Sequence, residues 1–144
     1  MKTTTWILAD AAHGQYESGS KDMQVPNCPI RAQKRTLRAG VSAGVDVIEA
    51  TNGDFTFTVV PTRGMSIHSA KYKDEFIGWK SPVNGPVHPA YVDVAEPSGL
   101  GWLDGFDELL VRCGLESNGA PEHDKETGRL MLSLIHISEP TRPY

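Results

Sequence analysis

At 144 residues, 39% hydrophobic and 22% charged, the chain has the make-up of one folded domain, not of a disordered segment. Its formal net charge is −4, and basic residues gather only at Arg31, Lys34, Arg35 and Arg38; this argues against a nucleic-acid partner, and the cluster reads as a solvated segment. No apolar run approaches the roughly 18 residues that span a bilayer, no leader-like start is present, and two cysteines make no disulfide framework, so the expectation is a cytoplasmic protein with no membrane partner.

The 14 glycines and 10 prolines promise many turns, which favours strands over a helix bundle. Residues 1–40 are weakly patterned. Trp6 to Ala9 reads as a short strand and His13 to Ser20 as a polar loop, while two prolines bar Val25–Pro29 from a helix interior. The pattern sharpens after Gly44. Residues 45–51 and 54–60 form an expected antiparallel hairpin, the second strand alternating Phe55, Phe57 and Val59 with Thr56, Thr58 and Val60. Asn52-Gly53 between them suits a type I′ turn, where both central residues take positive φ.

Pro61 and Gly64 mark a corner. Met65 and Ile67 open a third strand, but Ala70 and Tyr72 continue it on the opposite phase, which predicts a β-bulge near His68-Ser69. Lys73-Asp74 turns the chain and Glu75 to Trp79 returns, so four strands make a β-meander. Ser81 to Gly101 holds four prolines and three glycines around a short Tyr91–Val94 run. Connections this long are uncommon unless they carry function. Trp102 to Phe106 is an aromatic turn, Leu109-Leu110-Val111 a buried strand, Asn118-Gly119 a turn, and Pro121 to Gly128 a charged loop. The final stretch, Leu132 to Tyr144, resembles the translation of a transposase-type sequencing adapter residue by residue. It is therefore expected to be an artefact, with 1–131 as an incomplete domain.

Several motifs stand in a telling order: Pro61-Thr62-Arg63-Gly64-Met65, Trp79-Lys80-Ser81-Pro82, His88-Pro89, the run Gly101 to Leu110, and Cys113-Gly114-Leu115. Together, over roughly residues 31–120, they resemble the amino-terminal part of the aldose 1-epimerase-like proteins filed as DUF4432, relatives of galactose mutarotase. The resemblance implies a mainly β fold, here a truncated part of a galactose-mutarotase-like antiparallel β-sandwich. It also implies a longer family pattern that continues into a His-Gly-Arg segment, where this chain has Gly128-Arg129-Leu130-Met131 and then the adapter-like tail.

The chemistry implied is that of an isomerase. A base takes the proton of a sugar's anomeric hydroxyl, an acid protonates the ring oxygen, and the ring opens and recloses. That needs no metal and no other cofactor. The partner implied is a sugar, an aldose or a derivative. The family's acid and base, a late Glu and mid-chain histidines, find no match among these residues, so the catalytic residues are unknown and the fragment is expected to be inactive. A non-catalytic carbohydrate-binding module and a non-functional assembly artefact stand as alternatives.

Four residues are candidate sugar contacts. Arg63 could fork onto hydroxyls, or pair structurally with Asp46 or Asp54. Trp79 and Trp102 could stack on a sugar face, or belong to the core. His88 could be a contact, or a satisfied structural histidine. Asp104 and Asp107 could divide acid and base roles, but capping of their turn is the expectation. Cys113 reads as a buried small hydrophobe, and His123, with no second histidine at ligand spacing, gives no metal site.

Overall fold

The computed structural model describes residues 3, 5–8, 10–14, 21–93, 96–98, 100–111, 122, 123, 125, 126, 128, 130 and 131. Six antiparallel strands follow one another in both sequence and space: β1 Lys21–Gln24, β2 Arg31–Thr36, β3 Asp46–Thr51, β4 Phe55–Val60, β5 Ser66–Tyr72 and β6 Glu75–Ile77. This is the expected mainly β meander, extended by two strands at its start. A separate hairpin pairs β7 Glu122–His123 with β8 Leu130–Met131, where a charged loop was expected. Trp6, Ile7 and Leu8 lie outside any strand. Cys113, the Asn118-Gly119 turn and the adapter-like tail fall outside the described residues.

Register explains why the sheet is two-sided. Met23, Ala32, Ala50, Phe57, Ala70 and Ile77 stand opposite one another in a single row across all six strands. The next row, Gln33, Glu49, Thr58 and Ser69, is wholly polar and points to the other face. Met23 and Ala70 on the apolar side are buried. Phe55, Tyr72 and Ile77, at its far end, remain 36%, 48% and 43% exposed. A second apolar cluster, Val45, Val47 and Val60 with Leu37 against it, closes the opposite end of the sheet.

The β3–β4 turn differs from the type I′ expectation. Thr51 pairs with Thr56, and Asn52 still bonds Phe55, so Gly53-Asp54 are the two loop residues. Only Gly53 takes positive φ, 105°. Asn52 instead uses its side chain, whose Oδ1 accepts the Phe55 amide at 2.8 Å. One glycine at the first loop position is what a II′-like turn requires.

Three residues of the basic cluster, Arg31, Lys34 and Arg35, lie on strand β2 and Arg38 follows it; the solvated reading fails at Lys34. Strand alternation sends Lys34 inward, where it is 3% exposed and lies 2.8 Å from Asp46. Arg31 and Arg35 remain exposed. A run of like charges hid a strand because only one of its members needed a buried partner, and that partner sits on β3.

The expected bulge is present. Thr58 pairs with Ser69 and Val59 with Ile67, leaving His68 without a partner on β4. Leu109–Val111 is not a buried strand, however. Leu110 makes a single bridge to Ile67 and is 59% exposed. That bridge, with the Leu109 amide bonded to the His68 carbonyl at 3.1 Å, brings the 101–110 segment against the bulge.

Candidate functional site

The 101–110 segment and the β4–β5 corner meet in a buried polar cluster. Arg63 ends the 3-10 turn Pro61–Arg63 directly after β4. The turn is enforced by Pro61, whose fixed φ starts it. Arg63 reaches across to Glu108, with Nε 2.9 Å from Oε1, and donates from Nη2 to the Gly105 carbonyl at 2.9 Å. The two side chains are 10% and 3% exposed. Ser66 donates to the same carboxylate oxygen at 3.5 Å, and Oε2 accepts the Asp107 amide at 3.2 Å. The buried Glu108 carboxylate is thus satisfied by two groups more than forty residues away, Arg63 and Ser66, and by the amide of its own neighbour Asp107. The structural partner of Arg63 is Glu108, neither Asp46 nor Asp54.

Asp107 stands in contrast. Its side chain is 4% exposed, yet neither carboxylate oxygen has an aligned hydrogen-bond donor among the described residues. Nε2 of His68 lies 3.3 Å from Oδ2, close enough for an ion pair. On the other side the Gly85 backbone presses against the carboxylate: a Cβ there would sit 1.9 Å from Oδ2, so only glycine fits. Asp107 does not cap its turn, contrary to expectation. Contact with Asp107 raises the His68 pKa above its ordinary value; partial burial opposes this, and the negative charges of Asp107 and Glu108 add to it.

An aromatic group flanks the cluster. The Trp79 indole N–H donates to the Glu108 carbonyl at 3.0 Å, and its ring lies 5.5 Å from Phe106, centroid to centroid. Trp102, in the 3-10 turn Gly101–Gly105, meets Phe106 edge-on at 5.1 Å. Ser81 donates to the Phe106 carbonyl at 2.8 Å. Trp79 keeps 41% of its surface in solvent while its N–H is held.

Three of the four expected contacts, Arg63, Trp79 and Trp102, therefore gather around residues 105–108. His88 does not join them. Its Nδ1 accepts the Ala90 amide at 3.2 Å, capping the 3-10 turn Pro89–Tyr91, and its ring packs on Tyr91 and against Gly44. That is the structural arrangement of a loop histidine. Glu108, Ser66 and His68 were not among the expected contacts. The phase break at His68-Ser69 was the one local signal, and it marked His68 rather than Glu108. Elsewhere, a groove of about 560 Å³ crosses the polar sheet face between Asp22, Gln24, Arg31, Gln33, Glu49 and Thr56, and none of the four expected contacts lines it. Among the described residues no cluster of His, Cys, Asp and Glu is placed to hold a metal ion, and no helix is long and apolar enough to cross a membrane.

The crystal structure of a candidate aldose 1-epimerase from Klebsiella pneumoniae is similar to this fold, with a TM-score of 0.74 at 31% sequence identity. The similarity covers 87% of this chain but 33% of that one, so the chain spans about a third of the other protein's length. No curated protein matches the chain. The pattern of the family described as "Domain of unknown function (DUF4432)" matches residues 42–136. With that much of the chain covered, and with the fold shared, this protein belongs to the DUF4432 family.

Proposed function

We propose that the chain is part of a longer, cytoplasmic aldose 1-epimerase-like protein that binds a sugar and interconverts its anomers. The observation that carries the reading is the 31% identical fold shared over 87% of the chain with a candidate aldose 1-epimerase. The described geometry supports it: a held, partly exposed indole at Trp79, next to paired charges, is the kind of surface on which sugars stack and bond. In this reading the 144-residue chain is inactive by itself, and residues 1–131 are one piece of a single sandwich.

The test has two steps. The gene is first resequenced across the codons for Arg129 to Leu132 with reads that need no transposase adapter. A frame running past Met131 into further strands supports the reading of residues 132–144 as adapter. Genomic codons for Leu132–Tyr144 overturn it; the family match reaching residue 136 makes this the informative place to look. The complete protein then goes to polarimetry with freshly dissolved α-aldoses. Faster approach to the anomeric equilibrium is the expected result. Saturable sugar binding without any acceleration would replace the enzyme by a carbohydrate-binding module.

A further inference from the structure

His68 and Asp107 make an arrangement that neither the family likeness nor the Arg63–Glu108 pair accounts for. The β5 bulge removes His68 from the ladder with β4, and its ring stands against Asp107. Asp107 lies behind it, buried, with both carboxylate oxygens lacking an aligned donor among the described residues. The groups that face the ring are few. Asp107 is 3.3 Å from Nε2, and Glu108, next in the chain, is committed to Arg63 and Ser66. Among the described residues, the cation against the carboxylate walled in by the Gly85 backbone is the His68 imidazolium, and a buried charge left alone is costly. The ring itself is 27% exposed, and no hydrogen bond to Nδ1 is formed by the described residues. One ring nitrogen thus stands against a buried acid, which favours the charged ring, while Nδ1 has no hydrogen bond among the described residues and is available to a ligand.

We propose that His68, held protonated and oriented by Asp107, donates a charged hydrogen bond from Nδ1 to an oxygen of the bound sugar. His68 is then a ligand contact and Asp107 a positioning residue. Trp79, anchored on the Glu108 carbonyl next to Asp107, supplies the neighbouring apolar face. This assignment rests on the carbohydrate reading above.

The test uses the full-length protein with its histidine rings carbon-13 labelled, probed with D-glucose and D-galactose. The His68 signal is identified by its loss in His68→Gln. Without sugar, His68 is expected to titrate above the ordinary histidine value, and Asp107→Asn is expected to move that midpoint down. With sugar, the His68 signal shifts, and affinity falls about 10-fold or more as pH rises through the His68 midpoint, the loss expected for one charged hydrogen bond. His68→Gln removes that pH dependence. The position is partly exposed, so this variant keeps the test alive if Asp107→Asn fails to fold. An ordinary midpoint that ignores Asp107 overturns the proposal. So does a sugar that binds with unchanged affinity across the pH range and leaves His68 silent, in which case the carbohydrate reading stands alone. If neither sugar binds while Asp107→Asn still moves the midpoint, the carbohydrate reading fails and the ligand assigned here falls with it.

Discussion

Replacing Arg63 by Met, in the complete protein, tests whether the Arg63–Glu108 pair holds the 101–110 segment to the sheet. Met keeps most of the aliphatic volume and removes the guanidinium. Glu108, 3% exposed, then keeps only the Ser66 hydroxyl and the Asp107 amide. At an effective dielectric near 20, a pair at contact is worth about 4 kcal/mol before desolvation is counted. Removing one partner of a buried pair costs about 3–5 kcal/mol, because the charge left behind is uncompensated. The carbonyl of Gly105 also loses its donor. Against a typical stability of about 5–15 kcal/mol, Arg63→Met should therefore be among the most damaging single changes in this region. Replacing both residues, Arg63→Met with Glu108→Met, removes the stranded charge together with its partner. The double variant should lose much less than the sum of the two single losses, with a coupling of about 2 kcal/mol or more. Equilibrium urea unfolding followed by tryptophan fluorescence reads this directly, since Trp79 and Trp102 both pack on Phe106. A loss below about 1 kcal/mol for Arg63→Met, or single losses that simply add, would refute the claim that this pair joins segment to sheet.

Asp46→Asn should cost about 2–3 kcal/mol by the same assay, because it neutralises the carboxylate 2.8 Å from Lys34, which is 3% exposed; a change within error would mean that this pair does not hold β2 to β3. Val60→Ala, at a side chain that is fully buried in the Val45–Val47 cluster, should cost about 2 kcal/mol, again read from urea midpoints. Stability should also depend on pH through His68. Its folded pKa is raised by Asp107, so its contribution is fully present below the unfolded value of about 6.5 and is lost as pH rises through the raised folded value; Asp107→Asn should flatten the curve on that alkaline side, and an unchanged curve would dismiss the pair. The 144-residue chain expressed alone should aggregate, since Phe55, Tyr72 and Ile77 are 36%, 48% and 43% exposed on one face; a soluble monomer with a sharp thermal transition would contradict this.

The elements that could be read from sequence share one property: their signal repeats every two residues over a short span. Phe55 to Val60 announced both its faces that way, and the phase break after Ile67 announced the bulge before any partner strand was known. Strands β1 and β2 carried no such signal. Arg31 to Thr36 is polar throughout apart from Ala32, because one of its faces is polar by register and the other is filled by a lysine that Asp46 neutralises. Leu109 and Leu110 erred in the other direction, since an apolar run suggested burial where one bridge to Ile67 leaves Leu110 in solvent.

The site follows the same division. Trp79, Trp102 and Arg63 were readable as residue types with useful chemistry, whereas their arrangement depends on Glu108 and Asp107, which lie across a connection of some forty residues from the corner they serve. That separation changes what each residue can do. Arg63, the side chain with the most obvious appetite for sugar hydroxyls, spends its donors on Glu108 and Gly105 and is 10% exposed, so it acts first as the clamp that brings the segment in. The surface beside the clamp is made by its neighbours, the partly exposed indole of Trp79 and the partly exposed ring of His68. A ligand that used this corner would meet those two side chains, and would feel Arg63 mainly through the position of the segment they stand on.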